Sequence, residues 1–149
     1  MKSKYPIIFC AILAVLLAAC QGLDTVQTAK PTAPADPQPG KATMTGRLLY
    51  QSTGEPMSVI GVRLAEIVRQ GEQSAMVLDT AFGPGDMTDE QGYFIFENID
   101  PKEYVIVVGN IEIYQGYTIV PNDEGTARIW QTEDGKVVDV GELKVDFKQ

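Results

Sequence analysis

The chain has 149 residues, with 12 basic and 20 acidic side chains, a formal net charge of −8 and no histidine. An acidic body disfavours nucleic acid and docking on anionic lipid surfaces. Without histidine there is no imidazole base, no common zinc ligand set and no Ser-His-Asp or Cys-His nucleophile pair.

The first twenty residues read MKSKYPIIFCAILAVLLAAC. Lys2 and Lys4 give a short positive start, and Ile7 to Leu17 is an uninterrupted apolar run. A bilayer span needs roughly 20 apolar residues, so this pattern predicts an export signal and not a membrane helix. Leu17-Ala18-Ala19-Cys20 resembles the bacterial lipobox. Small residues there let an extended backbone enter the peptidase, and only Cys20 offers a thiol for a thioether-linked lipid. The expectation is a signal peptide over 1–19, removed before Cys20, with Cys20 acylated (the palmitate type of anchor). Cys10 leaves with the leader, so one mature chain cannot form an internal disulfide, although the compartment permits one. Loss of Lys2 and Lys4 leaves ten basic against twenty acidic residues, a net charge of −10.

Residues 21–41, QGLDTVQTAKPTAPADPQPGK, hold four prolines and no aromatic residue. Such a segment buries too little apolar surface to offset its ordering entropy. A disordered tether over 20–42 is predicted, reaching about 60 Å at ~3.1 Å per residue if fully extended.

From Thr43 the pattern changes to short apolar runs between turn clusters. Thr45 to Tyr50 is closed by Ser52-Thr53-Gly54-Glu55-Pro56, and Gly61 to Val68 precedes a polar loop, Arg69 to Ser74. Met76 to Ala81 reads as a further strand, while Phe82 to Gly92, with three glycines and a proline, reads as loop throughout. Tyr93 to Ile99 alternates, with Phe94 and Phe96 on one face and Tyr93 and Ile95 on the other. Tyr104 to Val108 is continuously apolar, which suits a central strand buried on both sides. Tyr117 to Val120, Ala127 to Gln131 and Lys136 to Phe147 follow; in the last, Leu143, Val145 and Phe147 share a face. Spacing of this kind predicts an all-β sandwich or barrel of about seven strands.

The stretch Thr88-Asp89-Glu90-Gln91-Gly92-Tyr93-Phe94-Ile95-Phe96-Glu97-Asn98-Ile99-Asp100-Pro101-Lys102-Glu103-Tyr104-Val105-Ile106 resembles the signature of the carboxypeptidase regulatory-like domain. Gly46-Arg47-Leu48, Gly54-Glu55-Pro56 and Gly61-Val62-Arg63-Leu64 fit the family's first strands and turn. Lys102-Glu103 departs from it, where a Gly commonly precedes the Tyr. Over 43–149 the resemblance implies a seven-stranded, Ig-like or prealbumin-like Greek-key sandwich. It implies no peptidase activity, because the module is an accessory to the catalytic domain in the parent enzymes. Hydrolases and intradiol dioxygenases on similar sandwiches depend on His, so neither activity carries over. In physical terms, Gly92 supplies positive φ before its strand, Phe94 and Phe96 supply core area, and Tyr104 packs its ring with its hydroxyl at the edge.

Asp79, Asp86, Asp89 and Glu90 are acids that could gather round a hard cation, but their spacing matches no loop of oxygen ligands; turn formation and solubility account for them better. Lys41, Asn98, Asn110 and Asn122 lack the first-strand and last-strand placement of a Lys–Asn crosslink. Trp130, Tyr114 and Tyr117 form either a sugar-stacking platform or, in keeping with aromatic residues on strands generally, part of the core. No catalytic, cofactor-binding or metal-binding residue is assigned, and the single site residue is Cys20. The sequence thus points to a monomeric, non-enzymatic lipoprotein of the cell or outer membrane, extracytoplasmic, needing no cofactor. Its partner is the membrane through the lipid, together with an envelope protein or a polysaccharide. The alternative is a carbohydrate-binding accessory of a polysaccharide degradation or uptake system. Gln21 after the Cys, in place of Asp, favours the outer membrane in a Gram-negative host.

Overall fold

The computed structural model describes residues 34–110 and 116–147. Cys20, the leader, Tyr114 and most of the proline-rich segment lie outside them. Among these residues nine strands follow one another: β1 Ala42–Tyr50, β2 Gly61–Gln70, β3 Gln73–Val77, β4 Gly85–Met87, β5 Tyr93–Ile99, β6 Glu103–Gly109, β7 Tyr117–Ile119, β8 Ile129–Gln131 and β9 Val137–Val145. They form a three-stranded sheet, β5-β1-β9, and a six-stranded sheet, β3-β2-β6-β7, with β4 also on β2 and β8 also on β6. All ladders are antiparallel except β1 with β9.

Nine strands replace the expected seven for a reason visible in the register. β4 pairs with Gly61–Arg63 of β2 and β3 with Glu66–Gln70, along one edge. Likewise β7 pairs with Val107–Gly109 of β6 and β8 with Glu103–Val105. Each outer rail of the larger sheet is therefore one strand interrupted by a loop, at 78–84 and at 120–128. Seven rails remain, three in one sheet and four in the other. The connections β1–β2, β4–β5, β5–β6 and β8–β9 each pass from one sheet to the other. The fold is an all-β Greek-key sandwich. Three local expectations are corrected. The polar loop expected at Arg69 to Ser74 is a two-residue turn, because Arg69 pairs with Ser74 and Gln70 with Gln73. Residues 82–92 are not wholly loop, since β4 lies within them, and the strand placed at Met76 to Ala81 is β3, three residues earlier. Every residue of β3 is exposed, so no buried face fixed its position in the sequence.

Alternation decides what fills the core. Met44 and Leu48 of β1, Phe94 and Phe96 of β5, and Leu143 and Val145 of β9 point into one cluster. Val62 and Leu64 of β2, Tyr104, Ile106 and Val108 of β6, and Trp130 of β8 meet them from the other sheet. The other two buried residues of β6, Val105 and Val107, lie with Ala65 on the opposite face, against Ile67, Leu78 and Ile119. That second cluster explains why β6 reads as an unbroken apolar run.

The Thr88-to-Gly92 motif is a clasp. Thr88 Oγ1 donates to the Met57 carbonyl (2.5 Å) and accepts from Ile60 N–H (2.9 Å), holding the turn between β1 and β2. Asp89 Oδ1 accepts from Gln91 N–H (2.9 Å) and Tyr93 N–H (2.8 Å). Gly92, at φ +84°, lets the chain pass against Leu48, whose N–H donates to the Gly92 carbonyl at 2.8 Å.

Candidate functional site

The β5–β6 turn, Asp100-Pro101-Lys102, is fixed from two sides. The Tyr104 hydroxyl donates to the Asp100 carbonyl (3.0 Å). Thr132 Oγ1 accepts from Lys102 N–H and donates to the Lys102 carbonyl, both at 2.9 Å. From this pinned turn two side chains reach outward into a row of alternating charge. Lys41 Nζ lies 2.7 Å from Asp100 Oδ1, Lys102 Nζ 3.6 Å from Asp100 Oδ2, and Lys102 Nζ 2.8 Å from Glu66 Oε2. The end of the proline-rich segment joins the same corner. Gln38 N–H donates to Asn98 Oδ1 (2.9 Å), and Ala42 is fully buried in β1, one residue before the boundary expected at Thr43. Asn98 itself sits in the left-handed region, at φ +53°.

Opposite the turn stands the loop that interrupts the β3/β4 rail. Asp79 Oδ1 accepts from Ala81 N–H and Phe82 N–H, each at 2.9 Å, and the Asp79 carbonyl accepts from Gly83 N–H at 3.0 Å. This tight Asx-type turn holds Phe82 with 92% of its surface in solvent. Between the two turns runs a cleft of about 480 Å³, which includes Lys41, Glu66, Phe82, Glu97, Asn98 and Lys102 in its walls. A larger cleft of about 1020 Å³ at Gly61, Gly85 and Gly109 is walled largely by glycine backbone and apolar side chains and presents fewer groups with chemistry.

The electrostatics follow from this geometry. The Lys41 ammonium, bonded to Asp100, holds that carboxyl below the usual carboxylate range, the wrong direction for a general acid. Glu66 raises Lys102 in turn. The backbone N–H groups of Phe82 and Ala81 depress Asp79, and Arg69, bonded at 2.6 Å, depresses Glu103. Burial pushes the Tyr104 phenol up to about 12. Depressed carboxyls contribute stability that is complete above about pH 4 and is lost as pH falls through their folded values. The raised phenol contributes stability that is complete below about pH 10 and is lost as pH rises toward its folded value. Denaturant melts are therefore expected to weaken below pH 4 and again above pH 10. Tyr104→Phe should shrink the alkaline loss; an unchanged alkaline slope would show that another group titrates there.

The other candidate residues are dispersed. Asp86 Oδ2 accepts from Ile95 N–H (2.8 Å), tying β4 to β5, and Asp79 and Asp89 cap their own turns. Among the described residues no three Asp, Glu, His or Cys side chains come together to hold a metal. Lys41 faces Asp100, while Asn122 Oδ1 caps a turn by accepting from Glu124 and Thr126 N–H. Trp130 is 8% exposed and belongs to the core, with the Arg128 guanidinium 5.2 Å from its ring centroid. It therefore provides no stacking platform with the half-exposed Tyr117. Among the described residues the most exposed aromatic side chain is instead Phe82. A lone aromatic amid FGPGD was its only sequence signal, since an apolar residue in a glycine-rich turn has no face to bury.

No family model matches the chain, and no curated protein matches it. Solved structures similar to it include a 9R-lipoxygenase from Cyanothece, 17% identical, with TM-score 0.40 over 79% of this chain and 19% of that one. A DUF3823 family protein from Bacteroides uniformis is 20% identical, with TM-score 0.43 over 72% of this chain and 43% of its own. A candidate carbohydrate-binding protein from Pseudomonas aeruginosa is 16% identical, with TM-score 0.45 over 74% of this chain and 92% of its own. The chain thus spans less than half the length of the first two. Likenesses at this level assign neither family nor function.

Proposed function

We propose that the chain is a bacterial envelope lipoprotein, acylated at Cys20, that presents a non-catalytic β-sandwich of the carboxypeptidase regulatory-like kind as a binding module. The observation that carries the binding role is Phe82, an aromatic ring held in solvent by a hydrogen-bonded turn beside a row of polar side chains. Concave clefts with a few convergent polar groups are a usual form of ligand site, and the ring stands in the wall of such a cleft. The anchor is supported by the lipobox-like LAAC sequence and the proline-rich segment that follows it. A carbohydrate-binding accessory role in polysaccharide degradation or uptake is favoured by the same ring, because aromatic faces and polar side chains together suit sugars.

Fractionation tests the anchor. The wild-type chain should partition with membranes and begin at Cys20 with added acyl mass. Cys20→Ala should lose that mass and leave the membrane fraction; retention of both in the variant would overturn the anchor.

A further inference from the structure

We infer that the cleft beside Phe82 is a subsite for an uncharged sugar ring, an inference that rests on the binding role proposed above. The Asp79 turn fixes the backbone that carries Phe82 through three hydrogen bonds, so the ring projects from a set point on the rim. A flat apolar face at the rim of a polar cleft suits the C–H face of a pyranose, which hides that face from water while its hydroxyls stay hydrogen-bonded. A volume of about 480 Å³ falls within the roughly 300–1,000 Å³ of small-molecule sites.

The charges set the ligand class. Lys41 and Lys102 stand against Glu66, Asp79, Glu97 and Asp100 in the walls, a surplus of acid that repels uronates, sulfates and phosphates. A cation finds little to bind either. Glu66 and Asp100 are already paired with lysines, and Asp79 is occupied by backbone N–H groups. Among the described residues only the Glu97 carboxylate in these walls carries no such bond. Hydroxyl groups both donate and accept, and an alternating row of ammonium and carboxylate groups offers both roles side by side. A ligand rich in hydroxyls and without formal charge matches that row best.

Calorimetric titration of the full chain in detergent is the test, with cellotetraose, mannotetraose and galactotetraose as uncharged probes. Tetragalacturonate and a tetralysine peptide serve as charged ones. At least one uncharged tetrasaccharide should bind, and Phe82→Ala should weaken it by about tenfold or more without moving the melting temperature. Preferential binding of tetragalacturonate or tetralysine, lost in Phe82→Ala, would overturn the uncharged-sugar assignment and leave the cleft as a binding site. Binding that is indifferent to Phe82→Ala, or no binding of any probe, would overturn the assignment and the proposed role of the cleft together.

Discussion

Phe94→Ala and Phe96→Ala are each expected to destabilise the sandwich by about 3–5 kcal/mol, as buried Phe truncations do. Both rings are nearly inaccessible, at 2% and 3% exposure, and they pack on each other with centroids 5.5 Å apart and planes tilted by 56°. Phe94 lies opposite Gly46 in the β1–β5 ladder and Phe96 opposite Met44. Space for the Phe94 ring exists only because position 46 lacks a side chain. A Cβ there would stand 2.8 Å from Phe94 Cζ and 2.5 Å from Val140 Cγ2. Against a total stability of roughly 5–15 kcal/mol for a domain of this kind, either change should lower the melting point steeply. The double variant should fail to fold. A thermally silent Phe94→Ala or Phe96→Ala would mean that the ring does not occupy the core at all. Because Gly46 and Phe94 share one space, a Gly46→Ala, Phe94→Ala pair should cost less than the sum of its parts.

Gly92→Ala carries the second large effect. Residue 92 holds φ +84°, where a non-glycine residue costs about 1–3 kcal/mol in strain alone. The added Cβ also meets the Leu48 carbonyl oxygen, a backbone atom that cannot swing aside as a side chain does. Relief requires separating β1 from the 88–92 clasp, which breaks the hydrogen bond from Leu48 N–H to the Gly92 carbonyl. Gly54→Ala is the control. Its φ is +74°, but a Cβ there has no neighbour within 4 Å, so it should show the strain cost alone. Melts in which the two variants lose equal stability would remove the steric part of this account.

How much of this was legible in the sequence depended on burial. Tyr93–Ile99 was read to the residue, since its alternating faces meet core on one side only. The buried role of β6 was equally plain from Tyr104 to Val108, five apolar residues with no polar interruption. Strand β4 was invisible because Gly85-Asp86-Met87 contributes a backbone ladder and no apolar face. Strand β3 was misplaced for the related reason that solvent reaches both its faces. The cleft was harder still. Lys41 and Asp100 lie 59 residues apart, and Gln38 and Asn98 lie 60 apart; local pattern cannot express such pairing. Phe82 appeared as a loop residue, and nothing in its spacing distinguished a presented ring from an incidental one.

The parallel ladder between β1 and β9 has a kinetic consequence. β1 is the middle strand of its sheet, yet Thr43 pairs with Val137 and Gly46 with Phe94, so neither neighbour exists until much of the chain has been made. Long-range pairing of this sort carries a large loop-closure cost before any contact rewards it, which places such all-β domains in the millisecond-to-second range of folding. The adjacent β2 and β3, joined by a tight turn, can pair early as a local hairpin. β1 must wait, and the smaller sheet closes last, when the segment from Val137 to Val145 arrives. A chain emerging in order from its N-terminus therefore leaves this sheet open until Val137 to Val145 has been made.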